Sequence, residues 1–340
     1  MIFISIASYT DPELPRTLRD CLDNARWPAD LRFGICWQGD PADPVPLNVF
    51  RSDKRFRYAD YTIAESEGGT WARSIAQRFW EGETHTLQID SHMKFDENWD
   101  VRLIEMLEAL PCDKPLLTVN TPVFWFDDDG RLHRHTDRGI PTSRVNHWGE
   151  TTWVDYGPPH PRLPAYNRFI TGNFVFTLGR WNEEVPQDPD HYYWGEELNL
   201  TVRSWTSGYD LYVPSEIVVW HMLHRAGPPR RHWEKGDEVV NAKNRVAYAR
   251  LNALLSGDGS VDLGPYALGK KRSLHDYEVY AGFDFKNKRA HPDVYTGRPP
   301  DPVTIRTEAD WQRCITVEEF FEGNPERKAL SSLEDTSEAR

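Results

Sequence analysis

The most constraining feature of the sequence is an alternation of strand-like and helix-like segments over residues 1–120. Apolar runs such as MIFISIAS (1–8), LRFGICWQ (31–38) and HTLQID (85–90) are separated by amphipathic segments such as LPRTLRDCLDNAR (14–26) and TWARSIAQRFW (70–80). Strands that alternate with helices of ten or more residues predict βαβ units and a mostly parallel sheet flanked by helices. We therefore expect an α/β fold that binds its ligands beyond the carboxyl ends of the strands.

Later segments extend this pattern after an interruption. Residues 121–166 are rich in Asp, His, Arg, Pro and Gly and have weak periodicity, which predicts an irregular insert. NRFITGNFVFTL (167–178) is typical of a strand, residues 191–210 of a turn leading into a helix, and residues 210–221 of a closing pair of strands. The chain after Pro292 carries frequent Pro and charge, and we expect its end to be disordered.

Charge and composition exclude some classes of function. The net charge of −13 argues against nonspecific binding to nucleic acid, because such binding depends on phosphate neutralisation by Lys and Arg. The four Cys show no metal-like spacing, which is typical of buried thiols in a reducing compartment. MIFISIASYT lacks the features of a signal peptide, and the sequence has no 18-residue apolar stretch. We expect a soluble, cytoplasmic protein with no membrane partner.

A candidate metal site follows the strand-like run HTLQI. Asp90 and His92 stand two residues apart just beyond the strand, and both are competent ligands for a divalent cation. A second imidazole emerges where the apolar run 217–220 ends, at His221, and His224 follows three residues later. An Asp/His/His set is therefore available, with either His221 or His224 as its third member.

Two helix starts carry further candidate residues. WGEELNL places Glu196 and Glu197 in a first helical turn, where the helix dipole alone already favours carboxylates; the functional alternative is that one of them faces a cleft and holds a hydroxyl-bearing ligand. The periodicity leaves open which one. GGTWARSIAQ places two glycines before a helix that carries Arg73, an arrangement suited to a diphosphate.

Taken together, these motifs resemble the GT-A nucleotide-sugar glycosyltransferases. More narrowly, the chain is similar to the polypeptide α-N-acetylglucosaminyltransferase family, which modifies hydroxyproline in a cytoplasmic ubiquitin-ligase subunit. The segments that carry the resemblance are ISIASYTDPELPRTLRDCL, GICWQ, GGTWARSIAQ, LQIDSHMKFDENWD, GEELNLTVRSWTSGYDLY, VVWHMLHR and YALGKKRSLHDYEVYAGFDF. The resemblance implies a GT-A type domain over residues 1–286, with 121–166 as an acceptor-side insert and 287–340 as a C-terminal extension.

The resemblance also implies roles for individual residues. Asp90, His92 and His221 would bind a divalent cation, Mn²⁺ first and Mg²⁺ second, which would bridge the two phosphates of a UDP-sugar. The donor site would further include Arg73 and the end of the first strand, namely Ala7, Ser8 and Tyr9. Glu196 and Glu197 would lie near the transferred sugar and the acceptor. The relatives retain the anomeric configuration, which implies an α-linked product.

Several functions remain open at this point. The leading hypothesis is a metal-dependent, retaining transfer of a sugar, GlcNAc first, from a UDP-sugar to a hydroxyl of a protein or glycan. Transfer to a hydroxymethylated base in DNA is a second hypothesis, which the acidic balance disfavours and which the basic stretch RAGPPRRHWEKG, residues 225–236, keeps open. A metal-dependent hydrolase is a third, although it leaves both helix starts without a role, and a noncatalytic sugar-binding module is a fourth. His133 and His135 are also spaced like metal ligands, but they lie in a charged stretch typical of a solvated hairpin.

Overall fold

The strands and helices follow the predicted alternation. The computed structural model describes residues 1–40, 47–127, 129–135, 141–145, 154–159, 164–222 and 237–324. Its strands are β1 Ile2–Tyr9, β2 Leu31–Gly39, β3 Phe56–Thr62, β4 His85–Ile89, β5 Met93–Phe95, β6 Pro115–Thr118, β7 Val123–Phe126, β8 Leu132–Arg134, β9 Pro141–Val145, β10 Val154–Pro159, β11 Ala165–Tyr166, β12 Phe174–Leu178, β13 Asp210–Val213, β14 Val219–Met222, β15 Phe283–Asp284 and β16 Arg289–Ala290. Its helices are α1 Leu14–Asp23, α2 Asn48–Arg51, α3 Gly69–Gln77, α4 Trp99–Glu108, α5 Trp181–Glu184, α6 Glu196–Thr206, α7 Asp237–Ser256, α8 Leu274–Ala281, α9 Pro292–Thr296, α10 Glu308–Gln312 and α11 Val317–Glu322.

The central sheet has the strand order β11-β13-β6-β12-β4-β1-β2-β3. The four strands β3, β2, β1 and β4 are parallel to one another, as is the pair β13 and β6. β12 runs antiparallel to both of its neighbours, and β11 runs antiparallel to β13. The prediction of a mostly parallel α/β sheet is therefore confirmed, and the carboxyl ends of β1 and β4 lie side by side.

Helices cover both faces of this sheet because the side chains of each strand alternate. On β12, Phe174 and Phe176 belong to a core shared with α1 and α4, whereas Val175 belongs to a second core shared with α6 and α8. Ala72 and Ala76 of α3 pack on the latter face, where they contact the first two strands. The second core also buries residues from 287–324, namely Ala290, Val294, Tyr295, Val317 and Phe320.

A second, four-stranded sheet with the order β5-β14-β7-β8 stands beside the first. Residues 121–166, expected to be irregular, contain β7 to β11 instead. Their partners include a strand distant in sequence: β7 pairs with β14, so that Val123 lies opposite His221. The segment 167–178 also differs from the prediction, because its strand begins only at Phe174. The division of the chain at residue 287 stays a prediction, and the expected disorder of the end falls on 325–340, outside the described residues.

No helix among the described residues is both long enough and apolar enough to span a membrane.

Candidate metal centre

The turn between β4 and β5 carries Asp90, Ser91 and His92, and α1 fixes its shape. The buried hydroxyl of Thr17 donates a hydrogen bond to the carbonyl of Ser91 at 2.9 Å. The hydroxyl oxygen of Thr17 in turn accepts a hydrogen bond from the backbone N–H of Met93, also at 2.9 Å. Since one helix side chain holds the chain on both sides of residue 92, the backbone that orients Asp90 and His92 is held in place before any ligand arrives.

The second sheet brings the third candidate ligand to this turn. β5 pairs antiparallel with β14, which places His221 opposite Met93. The Nε2 atoms of His92 and His221 lie 2.8 Å apart, and Nε2 of His221 lies 3.3 Å from Oδ2 of Asp90. One ligand atom from each of the three residues falls within 4.8 Å of the others. The three residues predicted to bind a cation therefore converge.

Asp11 is a member of this centre that the sequence analysis missed. Its side chain is buried, and its Oδ2 accepts hydrogen bonds from Nδ1 of His92 at 2.7 Å and from the hydroxyl of Ser91 at 2.5 Å. A carboxylate only accepts, so Nδ1 of His92 carries a proton, and the neutral imidazole then has its lone pair on Nε2, the atom that faces His221. A carboxylate that orients a histidine in this way is the usual outer partner of a metal-binding imidazole.

Arg73 of α3 joins this cluster to α6. Its guanidinium donates to Oδ1 of Asp90 at 2.8 Å through one nitrogen and to Oε1 of Glu196 through the other. Burial alone would raise the pKa of Asp90, but the hydrogen bond from His221 and the charge of Arg73 hold that pKa well below its usual range. Asp90 is therefore ionised at any physiological pH, as a cation ligand must be.

Both glutamates of the WGEE motif turn toward the site. Oε1 of Glu197 accepts the backbone N–H of Gly172 at 2.7 Å, and Glu196 is bound by Arg73. Burial raises the pKa of Glu197 to about 8; the Gly172 N–H opposes this rise, and the negative charge of Glu196 adds to it. At neutral pH Glu197 therefore holds a proton.

Gly195 allows α6 to start where it does. Its φ of +80° lies in the left-handed region, and an added Cβ would come within 2.7 Å of the Leu251 side chain on α7. Helix α7 is held against this turn by Arg250, whose Nε donates to the buried carboxylate of Asp188 at 2.8 Å. A side chain at position 195 would therefore strain the backbone and crowd the Leu251 side chain at the turn that presents both glutamates.

The end of β1 lies beside this cluster but contributes differently from one residue to the next. β1 and β4 pair with Ile6 opposite Ile89, so Ala7 continues the register beside Asp90. Ala7 packs against α3, whereas Ser8 is fully buried and its hydroxyl has no hydrogen-bond partner among the described residues. Tyr9 is partly exposed. The assignment of these three residues to a nucleoside stays a prediction.

The remaining candidates separate into two groups. His224 and the basic stretch 225–236 lie outside the described residues. His133 and His135 lie on the β7–β8 hairpin, and within the described part of the chain they belong to no group of three or more potential ligands. Nε2 of His133 contacts Oδ2 of Asp127 at 2.8 Å instead.

The Asp90–His92–His221 cluster fits a divalent cation. It offers one anionic oxygen and two imidazole nitrogens, a donor set suited to first-row transition metals. Adjacent ligands around one small cation lie about 3 Å apart, and the observed spacings are 2.8 and 3.3 Å.

Comparisons with known proteins bear on the family and the fold of this chain. A model of the family described as Glycosyltransferase (GlcNAc) matches residues 1–55 and 48–287. The structure is similar to that of GalNAc-T7 with UDP, GalNAc and Mn²⁺, with 15% identity and a TM-score of 0.51, over 82% of this chain and 54% of that one. The chain thus spans about half the length of GalNAc-T7, and the likeness confirms the expected GT-A type fold. It is also similar to S. aureus TarS 1–349 in complex with UDP-GlcNAc, with 13% identity and a TM-score of 0.42, over 77% of each chain. No curated protein sequence matches.

Proposed function

The chain belongs to the GlcNAc glycosyltransferase family, and from this premise we propose that it transfers a sugar, GlcNAc first, from a UDP-sugar to a hydroxyl of a protein or glycan. The observation that carries the proposal is the convergence of Asp90, His92 and His221 beyond the carboxyl end of β4. That end of a parallel sheet is where α/β folds bind nucleotides and their phosphates. The basic Arg73 stands next to the cluster, on the face that α3 covers.

Asp90, His92 and His221 would hold a divalent cation, with Mn²⁺ as the first choice. GalNAc-T7, which has a similar fold, was crystallised with UDP and Mn²⁺, and this supports the choice. When bound, such a cation stabilises the negative charge of the departing nucleoside diphosphate. For its part, the protein fixes the ligands in advance. Asp11 orients His92, and the pairing of β5 with β14 positions His221. The hydrogen bond from His221 and the charge of Arg73 hold the pKa of Asp90 low, so that Asp90 is ionised.

The transfer step requires no strong protein base. The acceptor hydroxyl oxygen forms a bond to the anomeric carbon of the donor, and the bond from that carbon to the β-phosphate oxygen breaks. The electron pair of the broken bond leaves with UDP, and the acceptor proton passes to a phosphate oxygen of the same UDP. Attack from the face that UDP leaves gives a retained, α-linked product.

The two glutamates take different parts in this step. Glu196 accepts a hydrogen bond from Arg73 and holds the guanidinium in place beside the donor. Glu197 uses Oε1 to accept from Gly172, and its raised pKa leaves a proton on the carboxyl group at neutral pH. Glu197 can therefore donate a hydrogen bond to a sugar hydroxyl, and both residues bind and position the donor without acting as a base.

Calorimetric titration with UDP tests the proposal. We expect binding in the presence of Mn²⁺, a large loss of affinity after chelation, and the same loss in Asp90→Asn without chelation. His133→Ala is a suitable control because it changes a histidine outside the cluster, and it should bind UDP as the wild type does. Absence of UDP binding with or without Mn²⁺, or binding that is indifferent to both chelation and Asp90→Asn, would refute the proposed donor site.

A further inference from the structure

The second sheet extends the face of His221 away from the metal centre. β14 and β7 are parallel, with His221 opposite Val123, and β7 and β8 are antiparallel, with Trp125 opposite His133. The same register places His135 opposite Val123, and its N–H donates to the Val123 carbonyl at 3.0 Å. Since side chains at paired positions point to one side of a sheet and alternate along each strand, all five residues share a face.

The Trp125 ring contacts two imidazoles on this face; we call Trp125, His133 and His135 the platform. The Trp125 ring stacks on His133 with centroids 5.3 Å apart and an interplanar angle of 14°, and it contacts His135 at 4.9 Å. Trp125 is 37% exposed. Asp127 fixes the His133 imidazole through a 2.8 Å contact to Nε2. The platform thus offers an indole surface with polar groups at its edge.

The opposite face of the same hairpin anchors it. Phe124 is buried against Trp220 and Met222. The Arg134 guanidinium lies 4.3 Å from the Trp220 ring centroid, and Arg134 also pairs with Asp96. Packing on that face holds the hairpin in place, so the fold does not require a large aromatic side chain at the exposed position 125.

The platform is close to the reaction centre. Neighbouring strands lie about 4.8 Å apart and each residue advances about 3.4 Å, so the backbones at His221 and Trp125 are about 8 Å apart. This distance is comparable with the length of a mono- or disaccharide. A ring stacked on Trp125 would therefore place a hydroxyl of the same or the next sugar unit beside the metal centre.

We propose that the platform binds the acceptor and that this acceptor is a carbohydrate; the inference rests on the proposed transferase function. The C–H face of a pyranose stacks on an indole ring, while the imidazoles and Asp127 at the rim pair with its hydroxyl groups. A peptide that bound by strand addition would use the backbone edge of β8, which lies two strands away from β14. The sheet face, rather than its edge, leads to His221.

Saturation-transfer NMR on the full chain tests the proposal with chitobiose, cellobiose, lactose and maltose as probes. We expect at least one of them to bind, Trp125→Ala to weaken that binding roughly tenfold or more, and Trp125→Phe to restore most of it. Phe126→Ala is the matched control: Phe126 is 42% exposed on the same strand but faces the other way, and its loss should leave sugar binding unchanged.

Donor binding is measured in parallel so that the two proposals fail separately. Trp125→Ala should bind UDP with Mn²⁺ as the wild type does. A wild type that binds sugar but not UDP refutes the transferase, and with it the acceptor role of the platform, but leaves the platform as a carbohydrate-binding surface. No binding of any of the four disaccharides, or binding that survives Trp125→Ala, overturns the platform. Trp125-dependent transfer to a Ser/Thr peptide, with no sugar bound, overturns the carbohydrate assignment.

Discussion

Replacing Asp11 by Asn should weaken Mn²⁺ binding although Asp11 is not itself a candidate ligand. In the wild type, Oδ1 accepts the backbone N–H of Glu13 at 2.9 Å, while Oδ2 accepts from Ser91 and His92. An Asn side chain has one oxygen and one NH₂ group for these three donors. The Asn oxygen must keep accepting from the Glu13 N–H, because a backbone N–H can only donate. The Ser91 hydroxyl and the His92 imidazole can instead accept a hydrogen bond from the NH₂ group.

The consequence reaches the metal through a change of tautomer. With the NH₂ group facing it, Nδ1 of His92 becomes the acceptor, and the proton moves to Nε2, the atom that lies 2.8 Å from His221. A protonated Nε2 has no lone pair for a cation. Loss of such an outer partner typically lowers metal affinity 10–100-fold, which corresponds to about 1.4–2.7 kcal/mol.

Two measurements check this reasoning. Calorimetric or electron-paramagnetic-resonance titration gives the Mn²⁺ affinity, and long-range ¹H–¹⁵N NMR of the metal-free protein gives the His92 tautomer. Asp100→Asn is the matched control: Asp100 is also a buried carboxylate, it accepts the N–H groups of Arg26 and Trp27 at 2.8 Å, and it belongs to α4 rather than to the metal centre. That variant should retain wild-type affinity.

Binding of Mn²⁺ by Asp11→Asn within two- to threefold of the wild type would show that Asp11 does not support the metal through His92. A proton on Nε2 of His92 in the wild type would show the same, and this measurement does not depend on whether the variant folds.

Four further predictions concern the neighbouring residues. Arg73→Lys should lower kcat/KM by roughly tenfold or more in a UDP-sugar assay, because one ammonium cannot hold two carboxylates as a planar fork does. Glu197→Gln should change the pH dependence of unfolding. Because the pKa of Glu197 is higher in the folded protein, the folded state loses stability once pH exceeds about 4.5, and this loss reaches about 4 kcal/mol near pH 8. Gln does not titrate, so the Tm of the variant should rise relative to that of the wild type between pH 6 and 8. Gly195→Ala should destabilise by about 1–3 kcal/mol in denaturant unfolding, because its φ is positive and α7 is in contact. His221→Ala should lower Mn²⁺ affinity more than His224→Ala does, and the reverse order in calorimetry would reassign the ligand.

The sequence predicted the fold where local patterns determine it. Segments 1–8, 31–38 and 85–90 became the parallel strands β1, β2 and β4, because buried parallel strands have apolar runs that can be recognised without knowledge of their partners. The same logic placed Asp90 at a strand end. The apolar run before His221 also suggested a second imidazole for the set, but the choice of His221 over His224 came from the resemblance to a family.

Features that depend on distant partners were missed. β5 and β7 have three and four residues, too few for a periodic pattern, and both are stabilised by pairing with β14. Asp11 lies in the short connection between β1 and α1, where a polar residue is the ordinary expectation. A polar residue just beyond a strand end, next to a motif such as Asp-x-His in the neighbouring strand, is the signal that could have identified it.

The segment 167–178 shows why an apolar run need not be a strand throughout. Its first half crosses between layers and pairs its polar groups with other elements: the Asn167 amide donates to the Thr118 carbonyl at 2.9 Å, and the Ile170 N–H donates to the Thr201 hydroxyl at 2.8 Å. The apolar side chains Phe169 and Ile170 are buried in the second core. These residues are therefore apolar because they are buried, and not because they form part of a strand.

The separation of 129 residues between His92 and His221 also matters while the chain is being made. At about 5–20 residues per second, a ribosome needs on the order of ten seconds to extend the chain from one histidine to the other. During that interval β1 and β4 can already pair, yet the nascent chain offers only two of the three candidate ligands, Asp90 and His92. We expect the newly made protein to bind the proposed cation only after β14 has emerged and paired with β5. Cation binding would then be a late event that indicates that the two sheets have assembled.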